Sequence, residues 1–338
     1  MSTTERVTAA SDTSAPPPPV TRRRIGSVFE RSAGVLVLLA LFIVFSVAVP
    51  GRFLSYNNLV GVVGNQAIAG IVALGLILPL AGGVFDLSVA GVMTLSVVAV
   101  TDLFQATHGA FPVPLAILVV CLGAVLVGCF NAFLVLKLKV DPFIATIGTS
   151  SVLIGMSQLI GNGTTITNDI PDSFTSFGRA TPWQVPIAVF VFLGLALIVE
   201  YVLTLTPFGP TLYATGAARE SARLAGIRTN RVLLISFCVS ALGAAIAGIL
   251  FAAQAGSGAP SVGDSYLLGA YAACFLGATI IRPGRFNVAG LIVAVLIIAI
   301  GVNGLQLWGV PFWVTQTFQG VALLVAVVIT KLERKTAT

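Results

Sequence analysis

A chain of 338 residues with 57% apolar and only 9% charged side chains cannot cover a water-facing surface, since soluble domains devote about 25% of their residues to charge. The mean hydropathy of +1.03 excludes a soluble globular domain and makes the lipid bilayer the solvent for most of the molecule. The net charge of +6 is not a nucleic-acid signal, because the basic residues lie in short connections between apolar runs, where they set membrane orientation.

Residues 1–31 are rich in Ser, Thr, Ala and Pro, including Pro16 to Pro19, and read as a disordered cytoplasmic tail. The apolar run after Arg22, Arg23, Arg24 and Arg31 is longer than a signal-peptide core and is followed by no Ala-x-Ala cleavage site, so it is read as an uncleaved first span. Ten apolar runs are expected to cross the membrane as helices, at about 32–50, 57–80, 86–106, 114–137, 141–161, 183–204, 231–254, 266–281, 288–307 and 312–331. The fold class is therefore an all-α polytopic membrane protein, with a transmembrane domain over 32–331 and a short cytoplasmic tail over 332–338. Ten crossings put both termini on one side, together with every Lys and Arg except Arg52 and Arg179. That bias assigns both termini to the cytoplasm.

Cys121, Cys129, Cys238 and Cys274 all fall inside apolar runs, form no Cys-x-x-Cys pair and behave as small hydrophobes. His108 has no companions for a metal site and is read as a loop residue. Small residues recur at four-residue spacing in the seventh run, at Ala244, Gly248 and Ala252, and are read as close packing between helices of the same chain in preference to a seam between two copies. The chain shows no nucleophile–base pair, metal cluster or paired carboxylates, so it is not read as an enzyme.

Two segments interrupt or join the spans in ways that carry chemistry. Pro79 to Ser88 breaks the second and third runs with a proline, the pair Gly82-Gly83, and Asp86, which is placed to cap the next helix. The break is either a discontinuity at membrane depth, buried in protein or facing water, or a tight cytoplasmic turn. Candidates for a translocation path or gate are Gly82, Gly83, Asp86, Ser88, Asn65, Asn131, Thr146 and Asn303, with Gln66, Ser96, Thr149, Gln316 and Gln319 as further uncharged polar residues inside spans. Hydroxyls and amides suit a neutral, hydrogen-bonding solute, and equally serve as glue between helices. The long basic connection at 205–230 is expected to carry a short helix from Ala218 through Arg219, Glu220, Ser221, Ala222 and Arg223 to Leu224, stopped by Gly226. It reads either as a docking knob for a cytoplasmic partner or as a basic loop lying at the lipid headgroups.

Four ordered motifs resemble the ribose-type family of ATP-binding-cassette sugar permeases: Tyr213-Ala214-x-Gly216 with Ala222-Arg223-x-x-Gly226-Ile227, Gly82-Gly83 with Asp86-Leu87-Ser88-Val89, Leu138-Lys139-Val140 with Pro142 to Thr149, and Asn303-Gly304-Leu305. The resemblance covers about residues 35–331. Phe85 stands as an inserted residue, Asp141 replaces a proline, Ala217 and Ala218 replace Gly-Asn, and Leu276 to Ile280 departs from the family's Leu-Gly-Gly-Thr-Ser. The resemblance implies a permease subunit of the bacterial inner membrane for a monosaccharide. It also implies three partners: a second permease copy, an extracytoplasmic sugar-binding protein, and a cytoplasmic ATPase that carries ATP and Mg and grips Ala218 to Gly226. The chain itself supports one part of this, since none of its four lysines follows a glycine and a phosphate-binding loop needs Gly-Lys. The alternatives are an ion-coupled secondary transporter, which calls for ionisable groups at membrane depth, and a branched-chain amino acid permease of the same superfamily.

Overall fold

The computed structural model describes the backbone of residues 24–336 and the side chains of 34–311 and 313–329. Fourteen α-helices are present among them: α1 (Arg24–Ala48), α2 (Pro50–Phe53), α3 (Tyr56–Ala81), α4 (Ser88–Ala106), α5 (Val113–Leu136), α6 (Pro142–Ile160), α7 (Asp172–Arg179), α8 (Ile187–Leu205), α9 (Phe208–Ala217), α10 (Arg219–Leu224), α11 (Thr229–Ala255), α12 (Val262–Gly277), α13 (Val288–Leu307) and α14 (Phe312–Thr336). Each of the ten expected runs is helical, as it must be where lipid offers the backbone no hydrogen-bond partner. Seven of these helices are long and apolar enough to cross a membrane, and α1 and α14 contribute shorter apolar stretches at Gly34–Ala48 and Trp313–Ile329. The chain is an all-α, multi-pass membrane protein.

Boundaries differ in three places. The eighth run lies at Val262–Gly277, earlier than expected, because residues 278–287 form a turn. Asn287 organises that turn: its amide donates to the carbonyls of Gly277, Ile280 and Arg285, and its Oδ1 accepts the Gly290 N–H at 2.7 Å to cap α13. At the N-terminus, α1 begins at Arg24 inside the segment expected as a tail, while residues 1–23 lie outside the described residues. At the C-terminus, α14 runs on to Thr336, and residues 337–338 lie outside.

The centre is built from α3, α4 and α11, whose apolar windows are the most buried of the spans. The Ala244, Gly248 and Ala252 face packs inside the protomer: a Cβ on Gly248 would stand 2.6 Å from the Met93 carbonyl oxygen of α4. At the periphery the solvent is lipid, and α5 turns Leu115, Leu118, Leu122, Leu126, Phe130 and Phe133 outward at three- and four-residue steps.

The helix order repeats. A long helix, a glycine-containing break and three further helices occur as α3–α6 and again as α11–α14. The packing repeats as well: α3 lies on α11, α4 on α12, α5 on α11 as α13 on α3, and α4 on α6 as α12 on α14. Gly82 of the α3 end lies on Leu233 near the start of α11, and Gly75 lies on Ser240, so α3 and α11 run antiparallel, the repeat is inverted and its two breaks lie at opposite ends of the bundle.

Candidate functional site

Three places hold the polar chemistry, and the first is a pocket of about 220 Å³ between the first half of α3 and the last half of α13. Asn57, Asn58, Asn65 and Gln66 face Asn303 and Gln306 across it. The Asn58 and Asn303 amides exchange hydrogen bonds of 3.1 and 3.0 Å, and Asn58 also donates to the Phe53 carbonyl at 2.9 Å, which fixes it to α2. Among the described residues, no charged side chain lines the pocket. Of the expected candidates, Asn65, Gln66 and Asn303 meet here. Asn57, Asn58 and Gln306 were not expected, although Asn58 and Asn65 stand seven residues apart and Asn303 and Gln306 three, the spacings of one helix face.

The second place is the break after α3. Gly82 ends the helix, Gly83 takes φ +80°, and the Val84 N–H returns to the Pro79 carbonyl at 3.0 Å. Beyond it Asp86 is fully buried, and its Oδ1 accepts from the Ser88 N–H at 3.1 Å and the Ser88 hydroxyl at 2.5 Å. The network continues outward, with Asn131 of α5 donating to Ser88 Oγ at 2.8 Å and Thr149 of α6 donating to Asn131 Oδ1 at 2.7 Å. Thr146 Oγ1 accepts the Leu87 N–H at 3.0 Å, and the Tyr271 hydroxyl of α12 accepts the Asp86 N–H at 3.1 Å. Asp86 Oδ2 and the Ser240 hydroxyl of α11 are buried beside one another, and neither meets any other hydrogen-bond partner among the described residues.

This network shows how the break is enclosed. Asn131, Thr149 and Tyr271 stand five to seven residues inside the nearer ends of their helices, roughly 7–10 Å at 1.5 Å per residue. The break is therefore enclosed by protein, about two turns in from those helix ends. It gathers Gly82, Gly83, Asp86, Ser88, Asn131 and Thr146, and lies about 24 Å along α3 from Asn65. Phe85 projects from it half-exposed and stacks on Tyr271 and Phe275 at 6.2 and 6.3 Å between centroids.

A mirrored break follows α11, which sequence reasoning missed despite the Gly256-Ser257-Gly258-Ala259-Pro260-Ser261 punctuation. Gly258 pairs in both directions with Ile166, the Gly263 N–H donates to Thr94 Oγ1 at 2.9 Å, and Arg179 caps α11 by donating to the carbonyls of Gln254 and Ala255. A guanidinium at a helix C-terminus also complements its dipole.

The third place is the loop from 206 to 228. The expected short helix is α10, and its motif residues have a local cause. The Ile227 N–H bonds to the Ala222 carbonyl at 3.0 Å, the Gly226 N–H bonds to Arg223 at 3.0 Å, and Gly226 takes φ +85°. This is the Schellman ending, and it explains an Ala-Arg-x-x-Gly-Ile sequence without any appeal to function. Ala222 is buried, whereas Arg219, Glu220, Ser221 and Arg223 are exposed and Leu224 is 85% exposed. Tyr213 of α9 donates to the Phe286 carbonyl at 2.6 Å beneath the Arg285 guanidinium, 4.0 Å from its ring centre, and burial pushes its phenol above the ordinary pKa. The end of α9 reaches the first break: Gly83 meets Gly216 so closely that a Cβ on Gly83 would lie 3.2 Å from the Gly216 Cα.

A family described as branched-chain amino acid transport system / permease component matches residues 58–327, a stretch that includes the pocket, both breaks and the loop. The chain belongs to this permease family. Among its curated relatives are the ribose import permease protein of Bacillus subtilis (strain 168), 32% identical over 309 residues covering 91% of this chain and 95% of the relative. The L-arabinose transport system permease protein of Escherichia coli (strain K12) is 29% identical over 310 residues, covering 92% and 93%. The autoinducer 2 import system permease protein of Escherichia coli (strain K12) is 31% identical over 296 residues, covering 86% and 89%. No solved structure matches. The resemblance to ribose-type permeases thus holds along nearly the whole permease, and its work is transport across the membrane.

Proposed function

We propose that this permease forms the membrane path of an ATP-driven importer for a monosaccharide of ribose or arabinose type. The observation that carries the reading is the uncharged amide pocket between α3 and α13. Amides hydrogen-bond a polyhydroxylated neutral solute without imposing charge, whereas the carboxylate and ammonium of an amino acid call for charged partners that the pocket lacks. The relatives named for ribose and arabinose support the same choice. Two copies enclose the path, an extracytoplasmic binding protein delivers the sugar to the Asn57–Gln306 end, and both termini face the cytoplasm.

Energy enters at the opposite, basic end. An ATPase on a separate chain seats α10 in a groove, with exposed Leu224 as the apolar contact and Arg219 and Arg223 at its rim. Closure of the ATPase pair moves α9 and, through the Gly83–Gly216 contact, the break that holds Asp86. The partner drives this change by binding the two states with different free energies.

The test is uptake into vesicles holding this chain with its ATPase and binding protein. Ribose or arabinose uptake that requires ATP is expected. Uptake of leucine with no sugar uptake, or sugar uptake driven by an ion gradient without the ATPase, overturns the reading.

A further inference from the structure

A cleft of about 280 Å³ opens on the outer flank where the end of α5 meets the start of α11. Ala132, Phe133, Leu136 and Leu234 line it together with Cys129 and Asn230, and so do the cations Lys137 and Arg231. Lys137 caps the C-terminus of α5 and Arg231 lies in the first turn of α11, so both cations sit at the level where spans leave the hydrocarbon. Both are exposed, and neither side chain makes a hydrogen bond or ion pair among the described residues.

The nearest acids are committed elsewhere. Asp141 and Glu220 line the adjoining cleft beyond Leu136 and Asn230. Asp141 accepts the Phe143 and Ile144 N–H groups at the start of α6, and Glu220 pairs with Arg223 at 2.8 Å. An apolar cleft that shares Phe133 with the outward stripe of α5 and is lined by two cations with no ion pair among the described residues is complementary to a molecule with an acyl chain and an anionic head.

We infer that this cleft is a binding site for an anionic phospholipid, with an acyl chain along Phe133 and Leu234 and the phosphate between Lys137 and Arg231. Basic pockets between spans select anionic headgroups, because each cation near the surface adds attraction that a zwitterionic lipid does not return in full. A lipid held here bridges α5 to α11 beside the loop that bears α10, so its occupancy bears on how α11 moves with that loop. The inference needs only the membrane placement and is independent of the transported solute.

Native mass spectrometry of the full-length chain, released from detergent with added phosphatidylglycerol or phosphatidylcholine, reads the site. Wild type is expected to hold phosphatidylglycerol in preference to phosphatidylcholine. The Lys137→Gln, Arg231→Gln pair is expected to weaken phosphatidylglycerol about thirtyfold, from two surface charges. Leu234→Trp, which fills the slot and leaves the charges, should weaken it too, while Lys139→Gln, outside the cleft, should not. A normal thermal unfolding curve for the paired variant establishes that the fold is intact. Equal retention of the two lipids by wild type, or unchanged phosphatidylglycerol binding in the paired variant, overturns the site. So does loss of phosphatidylglycerol when the ATPase or a second permease copy assembles, since the cleft then belongs to a protein.

Discussion

Asn58 and Asn303, 245 residues apart in sequence, face each other with both amides donating and both accepting, at 3.1 and 3.0 Å. The pair ties the start of α3 to the end of α13 inside the pocket proposed for the solute. Polar contacts between spans are worth about 0.6 kcal/mol on average and up to about 1.7. Replacing either residue with Leu is therefore expected to lower stability by about 1 kcal/mol, and a double-mutant cycle read by thermal unfolding should return a coupling within that range. Independent effects of the two substitutions would show that the amides do not meet. In the assembled importer the single Asn303→Leu variant should raise the KM for uptake, because the pocket loses a donor and an acceptor.

Asp86 gives the sharper test of the break. Its Oδ1 is the acceptor for Ser88, and Ser88 in turn accepts from Asn131. Asp86→Ala strands that chain of buried donors at a cost of about 1–3 kcal/mol. Asp86→Asn preserves the shape and an acceptor oxygen, and its NH2 can face the neighbouring Ser240 hydroxyl. The Ala variant should lose uptake while still inserting and assembling, and the Asn variant should recover most of its thermal stability. Normal uptake in Asp86→Ala would leave the residue as a simple structural cap.

The sequence made the ten apolar runs legible because lipid leaves a spanning segment no choice but helix, and it made α10 legible because Gly226 has to take positive φ. It left the break at Pro79 to Ser88 ambiguous for a physical reason. A proline and two glycines say that a helix stops, but depth depends on Asn131, Thr146, Thr149 and Tyr271, which come from three other helices. The second break was missed because Pro260 and Ser261 look like an ordinary surface connection until Ile166, Thr94 and Arg179 close around it. The candidate path residues likewise form one undivided set in the sequence, and only packing separates Asn65 and Asn303 from Asp86 and the five residues gathered with it.

The coupling loop separates a strain effect from a contact effect. A Cβ at Gly226 meets nothing within 4 Å, so Gly226→Ala adds only the cost of a left-handed L-residue, about 1–2 kcal/mol. That variant should loosen α10 and reduce ATPase association moderately. Leu224→Asp leaves the fold untouched at an exposed position and should abolish co-purification of the ATPase. At Gly216 a Cβ collides with the Ala81 carbonyl oxygen, so Gly216→Val should leave ATPase bound but unable to drive uptake. ATP hydrolysis and sugar uptake measured together distinguish these outcomes, and full coupling in Gly216→Val would remove the proposed link between α9 and the break.

Cys129 of α5 and Cys238 of α11 test the register of the central packing. Their sulfurs stand 3.5 Å apart, and a disulfide requires about 2.05 Å, a gap that a small side-chain rotation can close. Gly128 beside them allows the approach, since a Cβ there would lie 2.7 Å from the Cys238 Cα. Mild oxidation of the purified chain should form this bond within one molecule, detected as a Cys129–Cys238 linked peptide that reductant removes. Cys121 and Cys274, elsewhere in the bundle, should stay reduced under the same treatment. Recovery of a Cys129–Cys129 bond between two chains instead would mean that this flank of α5 faces a second permease, and would take the neighbouring cleft away from lipid as well.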